Sequence, residues 1–237
     1  MVERSNTLVC KTNGASLPRS ESWSQHIFYE FKSKKLKGLA LDIDDTLAQS
    51  GDAWIIGIQK HFGNPENLSV EEVKQKYRYS YNAPYWNSPA IRKWEESVRY
   101  DENWHFKLPL IKNANHVVEK IHKLVPIVVY LTARPKGILA ATRNWLEKHG
   151  FPKAEIIYRP ASVRLPENLA WKAKVLEYLY PQVVGMVDDH PQLAKDLSKK
   201  YRGTLYLYDY HDQAPRGDIN IVPCKNWQEV LESLVPL

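Results

Sequence analysis

Only Cys10 and Cys224 represent cysteine in the 237 residues, and no CxxC pair occurs. A disulfide framework and a cysteine-based zinc site both lack their ligands. No HExxH or comparable histidine spacing appears among the eight histidines, so a histidine metal site is equally unsupported. No apolar run approaches membrane-span length, and the N-terminal MVERSNTLVCKTNG lacks the apolar stretch of a signal peptide. The expectation is a cytoplasmic protein without a membrane partner. Gly137, Gly150 and Gly185 form no phosphate-cradling loop, and no internal repeat is visible. Net charge is +6 with a pI near 9.1, which favours anionic ligands without naming one.

What the chain does contain is a βα alternation. Short apolar, β-branched or aromatic runs stand at GLALDI (38–43), PIVVYL (126–131), EIIY (155–158), VVGMV (183–187) and TLYLY (204–208). Helical patterns separate them at Asn113–Lys123, Lys136–His149 before Gly150, Trp171–Tyr180 and Gln192–Tyr201 before Gly203. In the second of these, Ile138, Thr142, Trp145 and Leu146 share a face. NWQEVLESL reads as a last amphipathic helix. Near-continuous apolar strands between helices predict a parallel sheet covered on both faces.

Between Leu47 and about residue 108 the alternation stops. DAWIIGIQKHF, SVEEVKQKYRY and SPAIRKWEESVRY read as helices, the last two opened by Ser69 and Ser88. The predicted organisation is an N-terminal extension (1–35), a core domain (36–48 and 109–237) and an inserted helical cap (49–108). Ile27–Phe31 fits an edge strand or a helix end, and KSKKLK (32–37) a solvated lead-in to the first strand.

Acidic and hydroxyl residues gather where the strands end: Asp42, Asp44 and Thr46 after the first, Thr132 after the second, Asp188 and Asp189 after the fourth. Open parallel sheets place ligands at that edge. Singly, each residue reads as a cap or turn former. Converging carboxylates would repel one another and raise their pKa values, a conflict that a divalent cation such as Mg²⁺ resolves. Two positions along an extended strand return a side chain to the same face, so Asp42 and Asp44 start together.

DIDDT, LTARP, a lysine in AWKAK and VDDHP resemble, in order, the four motifs of the haloacid dehalogenase-like (HAD) phosphohydrolases, over about residues 38–200. The resemblance implies a Rossmann-like parallel sheet flanked by helices with an inserted helical cap. It implies Asp42 as nucleophile and Asp44 as general acid/base, whose pKa crowding would bring near the operating pH. Thr132, Ala133 and Lys172 would bind phosphate, with Lys174 the alternative lysine. Asp42, Asp44 and Asp188 would hold Mg²⁺, with Asp189 in support. Asp44 argues against the dehalogenase branch, which lacks a second acid, and against the ion-pump branch, which carries DKT. Asp45 stands where the motif usually has glycine and adds negative charge. Arg134 is open to either a phosphate contact or a salt bridge on the sheet rim.

The cap gathers Tyr77, Tyr79, Tyr81, Tyr85, Trp86, Trp94, Tyr100 and Trp104. Such rings stack on bases, and they equally build the core of a small helical unit. The expected activity is a Mg²⁺-dependent phosphatase acting on a nucleotide or other small phosphorylated metabolite. The run from LTARP to VDDHPQLA also resembles the phosphatase half of polynucleotide kinase, which keeps nucleic-acid 3′-phosphate ends as an alternative substrate. A non-catalytic phosphate- or nucleic-acid-binding module is the reading from another class.

Overall fold

A computed structural model describes residues 37–213 and 219–234. The segment 27–31, most of KSKKLK and the N-terminal extension lie outside these residues.

Six parallel strands make one sheet in the order β3-β2-β1-β4-β5-β6. They are β1 (Gly38–Leu41), β2 (Ile127–Pro135), β3 (Glu155–Arg159), β4 (Val183–Asp188), β5 (Thr204–Tyr208) and β6 (Asn220–Cys224). Side chains alternate across β1. Leu39 and Leu41 join one core layer and Ala40 the other. Helices cover both layers, which is why the strands read as unbroken apolar runs.

On the Leu39 side lie α5 (Ala114–Leu124), α6 (Leu139–Lys148) and α9 (Trp227–Ser233), through Val117, Ile121, Trp145 and Trp227. The buried indoles also bond to the backbone: Trp145 Nε1 donates to Leu108 O at 2.8 Å, and Trp227 Nε1 to Thr46 O at 2.9 Å. On the Ala40 side lie α7 (Asn168–Leu179) and α8 (Gln192–Asp196), through Val175, Leu176, Leu179 and Leu193.

The expected face of α6 is buried, although Ile138 belongs to a 3-10 turn that leads into the helix. Gly150, at φ 74°, follows its last turn. The helix expected to reach Tyr201 stops at Asp196. Leu197 turns extended, and Glu177 of α7 accepts the Ser198 backbone N–H. β6 was not anticipated. It holds Pro223 and, among the described residues, pairs with β5 alone, an edge position that tolerates proline.

The insertion between β1 and β2 holds α1 (Ser50–Phe62), α2 (Val70–Tyr77), α3 (Pro89–Arg99) and an unanticipated α4 (Glu102–Lys107). Ser69 and Glu72 cap α2 reciprocally, Ser88 caps α3, and the Asp101 carboxylate caps α4 by accepting from the Asn103 and Trp104 N–H groups. Ile55, Ile58, Val73, Ala83, Trp86 and Ile91 give the insertion a core of its own. Trp94 packs so closely on Gly57 that a methyl group there would lie 2.5 Å from its ring. The outgoing and returning chains run side by side. Ala48 and Leu110 form an antiparallel bridge, and Ile111 N donates to Leu47 O at 2.8 Å.

Candidate active site

The sheet order reverses direction between β1 and β4, and the crevice beyond their carboxyl ends is where such sheets bind ligands. Asp42 follows β1 and its N–H donates to Val187 O at 2.9 Å, which ties it to the neighbouring strand. Asp188 ends β4 and is fully buried. Carboxylate oxygens of Asp42, Asp188 and Asp189 lie within 4.8 Å of one another.

Asp42 lies two positions beyond Ala40, toward the layer that α7 covers, and Lys172 of α7 reaches it there. Lys172 Nζ is 2.7 Å from Asp42 Oδ1 and 2.9 Å from Asp188 Oδ2. Lys174 is exposed, so the structure selects Lys172. The backbone N–H of His190 takes the other Asp188 oxygen at 2.9 Å. Among the described residues, the Lys172 ammonium is the one polar partner of the buried Asp42 Oδ1.

One ammonium thus faces three carboxylates. Burial pushes Asp42 up to about 7, and Asp188 and Asp44 push the same way, with Lys172 opposing them. Burial and the Asp188 charge also raise Asp189 well above the carboxylate range. Burial alone would lower Lys172, but Asp188 and Asp42 outweigh it and hold the lysine charged. The donor set fits a small hard cation. It offers three closely spaced carboxylates and an excess of negative charge over the one ammonium.

Asp44 stands apart from this group. β1 ends at Leu41 and the turn begins only at Asp45, yet Asp44 is not one of the carboxylates grouped with Asp42. Its carboxylate meets a guanidinium fork instead. Arg134 Nη2 donates to Asp44 Oδ1 at 2.8 Å and Nε to Oδ2 at 3.0 Å. Arg134 is buried and fixed from behind by Nη1 on Thr142 Oγ1 at 3.2 Å. Burial would raise Asp44, but the Arg134 charge and hydrogen bonds prevail and hold it at about 2. The expectation that crowding would bring its pKa near neutrality is overturned. The carboxylate that joins Asp42 and Asp188 is Asp189, while Asp44 pairs with arginine.

Asp45 takes the left-handed conformation, φ 56°, at the position where the motif usually has glycine. Its carboxylate sits at the N-terminus of α1, accepting from Gly51 N at 2.6 Å and from Ser50 Oγ at 3.2 Å. A side chain at residue 51 would strike Asp45, with Cβ 2.7 Å from Oδ2. Burial lifts Asp45 to about 6, with the Gly51 N–H opposing.

Thr132 is buried, and its Oγ1 accepts from Arg134 N at 3.2 Å. β2 runs through it to Pro135 with a register shift after Thr132, whereas the sequence reading had Thr132 following the strand. The Ala133 carbonyl accepts from Arg159 Nε at 3.1 Å. Buried His105 was not singled out from the sequence. Its Nε2 lies 3.1 Å from Arg99 O, and burial followed by the Arg134 charge lowers its pKa to about 4.

The fold is similar to that of haloacid dehalogenase-like proteins. Two crystal structures of a dehalogenase, one with an intermediate complex, align at TM-scores of 0.52 and 0.51 with 13% identity, covering 85% of this chain and 98% of theirs. A HAD-superfamily hydrolase of subfamily IA from Geobacter sulfurreducens is 18% identical over 84% of this chain and 100% of its own, at a TM-score of 0.46. The LNS2 domain of PITM 1-3 matches residues 105–198, less than half of the chain. No curated protein matches the sequence. At these identities the likeness is one of fold, and the chemistry has to be argued from the residues.

Proposed function

We propose that the protein is a Mg²⁺-dependent phosphatase that hydrolyses a phosphate monoester, a nucleotide or other small phosphorylated metabolite, through an aspartyl-phosphate intermediate. The observation that carries this reading is the group of Asp42, Asp188 and Asp189 around the buried Lys172 ammonium at the switch point of the sheet. Asp42, Asp188 and Asp189 would hold Mg²⁺, which when bound neutralises charge on the phosphoryl group and the carboxylates.

Asp42 attacks phosphorus through a carboxylate oxygen, and the bond to the leaving oxygen breaks. Lys172 steadies the nucleophile, and the Thr132 hydroxyl, whose oxygen already accepts the Arg134 N–H, has its proton available for a phosphoryl oxygen. Water then attacks the acyl phosphate, releases inorganic phosphate and restores the Asp42 carboxylate. Asp44, ionised and with its side chain 34% exposed, would take the proton from that water, as a weak base whose low pKa is set by Arg134. An alkoxide leaving group needs a proton as the P–O bond breaks, and Asp44 would pass one on only after taking it from solvent, which makes this step slower for alkyl esters than for aryl esters.

The test is phosphate release from an aryl phosphate, with and without Mg²⁺, by wild type and Asp42→Asn. Metal-dependent turnover that is lost in the variant supports the reading. Turnover retained in chelator, or in Asp42→Asn free of contaminating phosphatase, overturns it.

A further inference from the structure

The insertion meets the core at residues 78–81. Arg78, at φ 65°, reverses the chain after α2, and its Nη2 donates to Asp189 O at 3.0 Å. Arg78 Nε donates to the Tyr79 hydroxyl at 3.0 Å. Tyr79 stacks on Tyr81, with centroids 5.1 Å apart and planes at 11°, and on His190, at 5.0 Å and 7°. The Tyr81 hydroxyl lies 3.5 Å from His190 Nε2. Rings on opposite faces of Tyr79 would be separated by two stacking intervals, about 7 Å in all. Tyr81 and His190 therefore lie edge to edge on the same face. Through the His190 N–H on Asp188, this small platform is fixed to the acid cluster.

Most other rings of the insertion are committed to packing. Trp86 is 3% exposed and its indole N–H donates to Gly63 O. Tyr77 and Tyr85 meet edge to face and both donate to Glu66. Trp94 is wedged on Gly57, and Trp104 packs on Trp54. Tyr81, Tyr100 and Phe106 stay open, at 55%, 51% and 37% exposure, and Lys148 of α6 lies over the Phe106 ring. Tyr100 lies against Gly137, just after β2, whereas Tyr81 has its hydroxyl edge beside the loop that carries Asp188 and Asp189.

We propose that the free face of Tyr81 is the stacking wall for a planar ring on the leaving group. The substrate class is then a nucleoside monophosphate rather than a phosphorylated sugar or polyol. The phosphoryl end of this proposal rests on the phosphatase reading, and the ring end rests on the platform geometry. Tyr79 and His190 pre-order Tyr81, so a ring landing on it loses little side-chain freedom.

The experiment pairs kinetics with binding. Values of kcat/KM are measured for a nucleoside monophosphate and for glycerol phosphate, and calorimetric titrations of the same two ligands use protein carrying Asp42→Asn. Tyr81→Ala should lower the nucleotide-to-glycerol-phosphate ratio, and the nucleotide affinity, by roughly ten- to a hundredfold, the scale of one lost base–aromatic stack. Tyr81→Phe should keep most of both. Tyr100→Ala, an equally exposed ring, should leave the ratio within about twofold. If Tyr81→Ala folds poorly, Tyr81→Leu removes the ring while keeping bulk and should give the same loss. Equal loss for both ligands, or the same loss in Tyr100→Ala, overturns the stacking wall. Should wild type turn over neither ester, the phosphatase reading fails and the titrations alone decide the ring site. Turnover of both with a ratio indifferent to Tyr81 sinks the ring site and leaves the phosphatase standing.

Discussion

Replacing the proposed nucleophile should stabilise the metal-free protein. Asp42 is buried among carboxylates that outnumber the one ammonium, and its pKa rises from 3.8 to about 7. A group whose folded pKa is raised binds more protons folded than unfolded, so stability falls as pH climbs from about 4 to about 7 and stays reduced above. A shift of about three units at 1.36 kcal/mol each sets a ceiling near 4 kcal/mol. Asn has the shape of the neutral acid but must place an amide, so roughly 2 kcal/mol is the least to expect, or about 4–8 °C in Tm for a chain of this size. The assay is thermal unfolding of wild type and Asp42→Asn in chelator at pH 8 and pH 4.5. The variant should melt higher at pH 8, and the gap should close toward pH 4.5, where Asp42 is largely protonated in the folded wild type. Mg²⁺ should narrow the gap at pH 8 by stabilising the wild type more than the variant. An Asp42→Asn protein that melts at or below wild type at pH 8 without metal would refute the reasoning.

Asp44→Asn should slow turnover of an aryl phosphate by roughly a hundredfold and shift the slow step to hydrolysis of the acyl phosphate. Rapid mixing should then show a burst of about one equivalent of phenol, and a slow linear release without a burst counts against Asp44 as the base. Trp86→Ala should cost about 3–5 kcal/mol in the stability of the insertion while barely changing the nucleotide-to-glycerol-phosphate ratio. Chemical denaturation followed by fluorescence, together with the same kinetics, reads both.

Five of the six strands were legible because burial on both faces demands apolar residues at every position. β6 was not, since Asn220 and Pro223 dilute a five-residue run and edge pairing tolerates both. The six residues of α4 are too few to show a period. The choice between Lys172 and Lys174 was readable in principle. Lys172, Val175, Leu176 and Leu179 recur at helical spacing on the buried face of α7, and Lys174 falls about 200° away from Lys172. The Asp44–Arg134 fork joins residues 90 apart in sequence, and only the ends of two adjacent strands bring them together. Sorting the aromatic rings was beyond the sequence, because a small helical core and a ligand wall draw on the same side chains.

The bridge between Ala48 and Leu110 places the exit and return of the insertion one strand spacing apart. To the sheet, everything between them is a closed detour, whose length adds little to the cost of bringing β1 and β2 together. The proposed phosphoryl chemistry would then lie with the sheet ends and the proposed ring contact with the detour, the two joined through Arg78 on Asp189 O and Tyr79 on His190. On that reading, a different detour spliced at the same two residues would change which phosphate bearer is accepted only if it rebuilt those contacts.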